Sequence, residues 1–280
     1  MNSPKEIAQY YVTAGVAKTK LSIVKMLLMG IMAGMFVALA GVGSTVAYAT
    51  VADSPIVSLG RLLSSMIFPA ALVMVLLAGS ELFTGNTLII IPVLEREIKL
   101  RAMLKNWLFV YTGNFIGSIF VAALTAYGGT YSLFGNGVAV TAINTAVLKV
   151  SLSFADALFR GILCNFLVCI AVWISLAAKD VAGKIIGLFM PIMLFVLSAY
   201  EHSIANMYYI TTGLFAVTTP VYRDIYVSVH GEAGLDALTW AAMFTRNIIP
   251  VTLGNIIGGT VIVGMTYWFL YLYDEKKAAK

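Results

Sequence analysis

A carboxylate, an imidazole and an amide occur together inside a long apolar run of the chain. The run covers residues 185–217, and its polar interruption contains Glu201, His202 and Asn206. A charged side chain in hydrocarbon costs about 2.5–3.5 kcal/mol, so such groups normally face a water-filled cavity or another polar group. Histidine titrates near a pH of about 6.5, so it can donate a hydrogen bond to an anion or lend it a proton. These residue types indicate an anion site at membrane depth, although a single histidine can also be purely structural.

A second polar stretch interrupts the apolar run 56–94 in the first half of the chain. It contains Glu81 and Asn86 at the spacing found in the other stretch, with Thr84 between them. The Thr84 hydroxyl could donate to an anion opposite the imidazole, or it could cap the helix that follows. We interpret the carboxylates and amides of both stretches as structural groups that bind freed backbone groups at a break. Each run is longer than the ~20 residues that one crossing needs, so the sequence predicts two broken helices.

The two halves of the chain share a longer pattern, which indicates an internal repeat. The spacing Asn-x6-Gly-Asn-x2-Gly starts at Asn106 and again at Asn247, after the polar stretch of each half. We assign three membrane crossings to repeat one (about 21–128) and three to repeat two (about 153–273). Because three is an odd number, the second repeat must enter the membrane from the opposite side. The sequence therefore predicts an all-α membrane protein with six transmembrane helices in two inverted repeats, of which the second and fifth helices are broken.

The composition excludes an ordinary soluble domain. Apolar residues make up 60% of the chain and charged residues 11%, whereas soluble domains contain about 25% charged residues. The sequence contains no P-loop, zinc signature or catalytic Ser/His/Asp set, so we expect no enzyme activity, cofactor or metal. Cys164 and Cys169 are interpreted as buried packing residues. The net charge of +5 is attributed to membrane topology, and no nucleic-acid partner is expected.

Six apolar runs predict six crossings within one channel domain, residues 21–273. The runs cover residues 21–50, 56–94, 104–127, 154–178, 185–217 and 248–272. Residues 1–20 are expected to form an amphipathic helix at the cytoplasmic surface, because Ser3-Pro4 is typical of a helix start. Residues 274–280 are expected to form a cytoplasmic tail.

The basic residues predict the orientation in the membrane. With the N-terminus inside, 13 of the 18 lysines and arginines lie on the cytoplasmic side and five lie outside. The positive-inside rule therefore places both termini in the cytoplasm, and we expect location in the inner membrane. Two loops, about 128–153 and 218–245, then lie outside and are expected to be short caps over a pore mouth. Lys149, in the first loop, would either concentrate anions there or be an ordinary solvated lysine.

Other residues near the breaks could shape a pore. Asn165, in the middle of the fourth crossing, either faces the pore or bonds between helices. Apolar side chains that face a pore would form constrictions that favour small solutes over hydrated ions. The candidates are Phe68, Leu72, Leu82, Phe83, Val168 and Phe195.

At these positions the sequence resembles the formate/nitrite transporter family. The resemblance covers essentially the whole chain and is most specific in four stretches, which are ELFT at 81–84, NFLVC at 165–169, EHSIANM at 201–207 and PVTLGNIIGG at 250–259. It implies an aquaporin-like six-helix fold, assembly as a homopentamer in the lipid bilayer, and one pore in each protomer.

The resemblance also implies roles for individual residues. Thr84 and His202 would be the central polar pair, Asn165 the supporting amide and Lys149 the lysine of the outer vestibule. One constriction would be formed by Leu72, Leu82 and Phe195, and the other by Phe68, Phe83 and Val168. The implied function is a channel or transporter for small monovalent weak-acid anions, with formate or nitrite preferred, hydrosulfide as the alternative, and possible coupling to protons.

Two other classes of function stay open at this point. A neutral-solute pore of the aquaporin type would share the architecture, but neither break contains the Asn-Pro-Ala signature expected of it. A third hypothesis is a membrane scaffold or enzyme subunit that transports nothing. The two polar breaks argue against it. Measurement of solute flux separates these classes.

Overall fold

This computed structural model describes residues 1–52, 54–56 and 58–273, and the regular structure within them is entirely helical, which confirms the all-α expectation. The expected tail, 274–280, lies outside the described residues. The principal helices are α1 (Pro4–Thr19), α2 (Ile23–Ala49), α3 (Leu59–Leu77), α4 (Phe83–Leu94), α5 (Leu100–Tyr127), α6 (Leu133–Val150), α7 (Phe154–Ala177), α8 (Val181–Leu197), α9 (Ser203–Val217), α10 (Pro220–His230) and α11 (Trp240–Tyr271).

Serine side chains begin three of these helices. Ser3, Ser22 and Ser153 each accept the backbone N–H of the residue three positions later, which satisfies one of the free donors at a helix start. At α1 the bond is reciprocal, because the Ser3 N–H donates to the Glu6 carboxylate at 2.6 Å. This bond holds the pKa of the Glu6 carboxyl below its usual value. The predicted start of α1 at Ser3-Pro4 is therefore found.

Six helical segments of the described chain are long and apolar enough to cross a membrane. They are Ile23–Ala49, Leu59–Leu77, Leu100–Tyr127, Thr130–Val150, Phe154–Ala177 and Trp240–Tyr271. The predicted second crossing is divided into α3 and α4, and the predicted fifth into α8 and α9. The two predicted broken helices are thus confirmed. In the fifth crossing, α8 has 17 residues and α9 has 15, so neither reaches the ~20 residues that one crossing needs.

The segment 128–153 corrects a prediction. It was expected to be a short cap over a pore mouth, but it contains helix α6, which is regular from residue 137 to 150 after a kink at 134–136. The buried side chains of α6 recur at helical spacing, as in Ala139, Ala142, Ile143 and Ala146. Its content of glycine, threonine, serine and tyrosine favours a loop, yet this spacing of small apolar residues is typical of a helix packed against another. The second expected cap, 218–245, likewise contains a helix, α10.

Glycine pairs bring the long helices of each repeat together. Gly30 of α2 faces Gly113 of α5, and a Cβ on Gly30 would lie 3.1 Å from the Gly113 Cα. Gly161 of α7 faces Gly254 of α11 in the same way, at 3.3 Å. Small residues allow helix backbones to approach closely in a membrane. The repeated Asn-x6-Gly-Asn-x2-Gly pattern therefore marks the α2–α5 contact and its counterpart between α7 and α11.

Candidate pore and central polar site

The two breaks have the same backbone structure. Gly79 and Ala199 lie in the left-handed region, with φ of +79° and +55°, so neither helix can continue. The next N–H in each case, that of Ser80 or Tyr200, donates to a carbonyl five residues earlier at 3.0 Å. Alanine is strained in this region and glycine is not. The second break therefore keeps a backbone shape that its own residue does not favour.

A buried asparagine joins each break to the long helices beside it. Asn114 of α5 accepts the Phe83 N–H at 3.0 Å and donates to the carbonyls of Gly30 (2.8 Å) and Glu81 (2.9 Å). It thus satisfies the Phe83 N–H and the Glu81 carbonyl, which the interruption leaves without helical partners, and its bond to Gly30 joins the break to α2. Its amide is fully buried.

Asn255 of α11 repeats these three bonds in the second half of the chain. It accepts the Ser203 N–H at 2.9 Å and donates to the carbonyls of Gly161 (2.8 Å) and Glu201 (3.0 Å). The repeat inferred from sequence is therefore present at the level of single hydrogen bonds. The contacts favour a structural role for both asparagines.

The carboxylate of each break pairs with a lysine and an asparagine. Lys149 Nζ lies 3.0 Å from both oxygens of Glu201, and Asn206 donates to Oε2 at 2.6 Å. Asn247 adds a bond to the same oxygen at 3.3 Å. A buried carboxylate needs such partners because its isolated charge would be costly. The Glu201 carboxylate was expected to bind freed backbone groups, but these contacts are with side chains, and its charge is neutralised by Lys149.

The first break has the same arrangement, with Lys18 in place of Lys149. Lys18 Nζ lies 2.6 Å from Glu81, and Asn86 donates to the other carboxylate oxygen at 2.7 Å. Sequence reasoning had assigned Lys18 only to a surface helix. A signal was available, since Lys18 precedes Gly30 by 12 residues (30 − 18) and Lys149 precedes Gly161 by 12 (161 − 149). Helices α1 and α6 are therefore equivalent elements of the two repeats.

Thr84 and His202 meet where the N-termini of α4 and α9 converge. Thr84 Oγ1 lies 2.9 Å from His202 Nε2, and both side chains are buried. His202 Nδ1 accepts the Ala205 N–H at 3.1 Å, so the neutral ring carries its proton on Nε2 and donates to Thr84. The same hydrogen bond makes His202 the N-cap of α9. The sequence predicted both residues, and the structure brings them together.

Asn165 stands behind this pair. Its side-chain amide donates to the Thr84 carbonyl at 3.2 Å, to Thr87 Oγ1 at 3.1 Å and to the Asn255 carbonyl at 2.7 Å. It therefore ties the first turn of α4 to α7 and α11. Gly259 packs on the same cluster, where a Cβ would collide with Thr87 and Asn165.

Two cavities adjoin His202. The larger has a volume of about 450 Å³, and we call it the Lys149 vestibule. Its wall is formed by Ser44, Thr45, Tyr48, Arg61, Ser64, Phe68, Thr141, Asn144, Thr145, Leu148, Lys149, Leu152, Arg160, Phe195, Val196, Ala199, Tyr200, Glu201, His202, Ala205, Asn206 and Tyr209. The smaller has a volume of about 20 Å³ and an almost wholly apolar wall, formed by Val37, Phe68, Ala71, Leu72, Leu82, Val168, Ile192, Phe195 and His202. His202 is thus the polar residue that both cavities share.

The grouping of the apolar side chains differs from the expected one. Phe68 and Phe195 were assigned to different constrictions, but their ring centroids lie 5.6 Å apart and both line both cavities. Phe83 lines neither cavity; its ring packs against Trp107 and Tyr111. The sequence could not show this pairing because it depends on how α3 and α8 cross.

Comparison with known proteins adds a family to this geometry. A sequence model of the formate/nitrite transporter family matches residues 5–269. The chain is 36% identical over 272 residues to the uncharacterized transporter YrhG of Bacillus subtilis, covering 96% of this chain and 93% of that protein. It is 34% identical over 278 residues to the formate channel FocA of Escherichia coli strain K12, with 97% and 95% covered.

Two solved structures have the same fold. A pentameric formate channel with formate bound superimposes with a TM-score of 0.78 at 32% identity, covering 89% of this chain and 98% of the other. An ion channel of the FNT family gives a TM-score of 0.78 at 29% identity, with 95% and 98% covered. The fold inferred from the two breaks is therefore that of solved channel proteins.

Proposed function

Since this chain belongs to the formate/nitrite transporter family, we propose that it is a membrane channel for small monovalent weak-acid anions, with formate first and nitrite second. The observation that carries the proposal is the Thr84–His202 contact of 2.9 Å at the converging N-termini of two half-helices. The imidazole N–H, the hydroxyl and the partial positive charge of the two helix ends all favour an anion at this point. Thr84 and His202 would therefore line a transport path and would not be catalytic residues.

The anion enters through the Lys149 vestibule. The basic side chains on its wall attract a hydrated anion. The rings of Phe68 and Phe195 separate the vestibule from the small cavity, so the anion loses most of its bound water as it passes them. At His202 the anion replaces Thr84 as the acceptor of the Nε2–H bond. Beyond it, Leu72, Leu82 and Val168 form an apolar passage toward the side where Lys18 lies.

Proton coupling would have a structural cost at this site. His202 can give up a proton and stay neutral only if it was first protonated on both nitrogens. A protonated Nδ1 cannot accept the Ala205 N–H, so that state breaks the N-cap of α9. We therefore propose that His202 serves first as a neutral hydrogen-bond donor, and that transfer of its proton to a weak-acid anion is linked to loosening of the α9 N-terminus.

Assembly and location follow the relatives. The similar solved channel is described as pentameric, and apolar side chains such as Leu108, Phe159 and Ile186 are exposed on this chain. We propose a homopentamer in the inner membrane, with one pore per protomer and both termini in the cytoplasm. Lipid and neighbouring protomers would then cover these exposed apolar side chains.

Flux measurements on purified protein test the proposal. Stopped-flow uptake of formate, nitrite and hydrosulfide should be compared in proteoliposomes from one preparation, with empty liposomes as the control. We expect saturable formate or nitrite uptake well above the control, and osmotic swelling in glycerol no faster than in empty liposomes. Protein that is folded and incorporated but moves none of the three anions would contradict the proposal. A hydrosulfide rate above the other two would reassign the substrate.

A further inference from the structure

We infer that Arg160, together with Arg61, forms an anion-collecting site in the Lys149 vestibule that binds formate-like or nitrite-like anions before they reach His202. The inference rests on the proposed function and adds to it two residues outside the central pair. It also assigns the attraction for anions to these arginines, because the charge of Lys149 is already neutralised by Glu201.

The charges that line the vestibule do not balance. Among the described residues of the wall, three side chains are basic, Arg61, Lys149 and Arg160, and one is acidic, Glu201, so these residues carry a net charge of +2 (3 − 1) with His202 neutral. Lys149 contacts both oxygens of Glu201 at 3.0 Å, and its side chain is only 15% exposed. The two opposite charges of this pair largely cancel, so the pair attracts an anion in the vestibule only weakly. The unbalanced charge therefore belongs to the two arginines.

Neither arginine forms an ion pair with a carboxylate of the residues that the structure describes. Within the described part of the chain, no acidic oxygen lies within 4 Å of either guanidinium. Asp156, one helical turn before Arg160, is bound to Ser153, whose hydroxyl donates to it at 2.7 Å. Glu201 is occupied by Lys149, Asn206 and Asn247.

The backbone fixes Arg160 beside the central site. Its carbonyl accepts the Glu201 N–H at 3.3 Å, immediately before His202 in the chain. The equivalent bond in the other repeat runs from the Glu81 N–H to the carbonyl of Met29, at 3.2 Å. The same backbone is thus built with methionine at this position, so the fold does not need a cation there. The arginine is a property of this vestibule.

The chemistry of the guanidinium suits the proposed substrates. It is a planar fork of N–H donors that matches two coplanar oxygens, as in a carboxylate or nitrite, and it stays charged at all physiological pH values. The apolar rings of Phe68 and Phe195 at the base of the cavity direct the field of these charges into the vestibule. An anion held there has shed part of its water before it meets the constriction.

The test is the concentration of formate that gives half-maximal flux, measured in planar bilayers or proteoliposomes at low and high ionic strength. Arg160→Met copies the other repeat, Arg61→Gln removes the second charge, and Arg160→Lys keeps the charge. Arg223→Gln is the control for loss of a positive charge outside the vestibule, because Arg223 is an exposed arginine of α10 that does not line the vestibule and is paired with Glu232 at 3.4 Å. We expect Arg160→Met to raise the half-saturating concentration roughly fivefold at low salt, and Arg61→Gln to raise it by a smaller factor.

The expected shift should vanish near 1 M salt, where charges are screened beyond about 3 Å, and Arg160→Lys should keep most of the wild-type affinity. A half-saturating concentration in Arg160→Met equal to that of wild type and Arg223→Gln would overturn the inference, and so would a shift that persists at high salt. If Arg160→Met does not fold, Arg61→Gln still decides it: its half-saturating concentration should exceed that of wild type at low salt and equal it near 1 M salt, and no shift at low salt would overturn the inference. Wild-type protein without anion flux would instead contradict the proposed function.

Discussion

Leu82 and His202 are the same position of the two repeats, 120 residues apart, with nearly identical backbones. Their φ and ψ are −108° and 123° for Leu82, and −109° and 116° for His202. Each is the N-cap of a half-helix and each lines the small cavity. Only His202 accepts a backbone N–H with its side chain. The pseudo-symmetric frame therefore presents a polar group on one side of the path and an apolar group on the other.

Replacing His202 with leucine should nearly abolish anion flux. The variant copies Leu82, so the backbone can accept it, but the Nε2–H donor is lost. A hydrogen bond to a charged group is worth about 1.5–3 kcal/mol, which predicts a fall in flux of roughly 10- to 100-fold. Stopped-flow uptake in proteoliposomes at several pH values from about 5 to 8 measures this. Uptake equal to wild type over that range would refute the role of His202.

His202→Asn is the matched control for that experiment. Asparagine is a strong N-cap and supplies an N–H donor, but it does not titrate in this range. We expect a melting temperature close to that of wild type, measurable flux, and loss of the part of the pH dependence that comes from the ring. A pH profile identical to that of wild type would show that the imidazole passes no proton.

Replacing Thr84 with valine should lower flux by about tenfold, because the side chain keeps its shape and loses the hydroxyl that lies 2.9 Å from His202. Thr84→Ser keeps that oxygen and should transport at close to the wild-type rate. Both variants are compared by uptake of formate and nitrite in proteoliposomes. Equal rates for the valine and serine variants would exclude a role for the hydroxyl.

Breaking the Lys149–Glu201 pair should destabilise the protein strongly. Either Lys149→Met or Glu201→Gln leaves a buried group without its partner, which costs about 3–5 kcal/mol. The double variant should lose less than the sum of the two, because no lone charge remains. Thermal unfolding in detergent measures the cycle. Additive effects would show that the two side chains do not stabilise each other.

The equivalent pair of the first repeat gives an internal comparison. Lys18 is 32% exposed, against 15% for Lys149. Solvent screens an exposed pair, so Lys18→Met should lower the melting temperature less than Lys149→Met. A larger effect of Lys18→Met would contradict this explanation.

Gly259→Ala should destabilise the central site by about 1–3 kcal/mol, because the added Cβ would collide with Thr87, Asn165 and Cys169. Gly137→Ala, in α6, is the control; its Cβ would meet only an ordinary contact of 3.6 Å with Phe134. Thermal unfolding of the two variants provides the measurement. A melting temperature for Gly259→Ala equal to that of Gly137→Ala would show that the cluster around Asn165 can move aside.

The membrane class, the two breaks and the repeat could all be predicted from the sequence. These are local features, since an apolar run, a polar interruption and a spacing such as Asn-x6-Gly-Asn-x2-Gly can each be read along the chain. The residue types at Thr84 and His202 also indicated the chemistry. The spacing of small apolar residues in α6 also predicts a helix, but its glycines and threonines favour a loop, and the sequence does not show which signal is stronger.

Which of these groups meet depends on how the helices pack in three dimensions. The Thr84–His202 contact joins residues 118 positions apart, and the Lys18–Glu81 pair joins residues 63 apart. The contact of Phe68 with Phe195 depends on the crossing of α3 and α8. Sequence patterns specify the face of a helix that is buried, whereas the packing of the helices fixes their rotation and depth. Distances of about 3 Å between side chains, on which binding of an anion depends, follow from that packing.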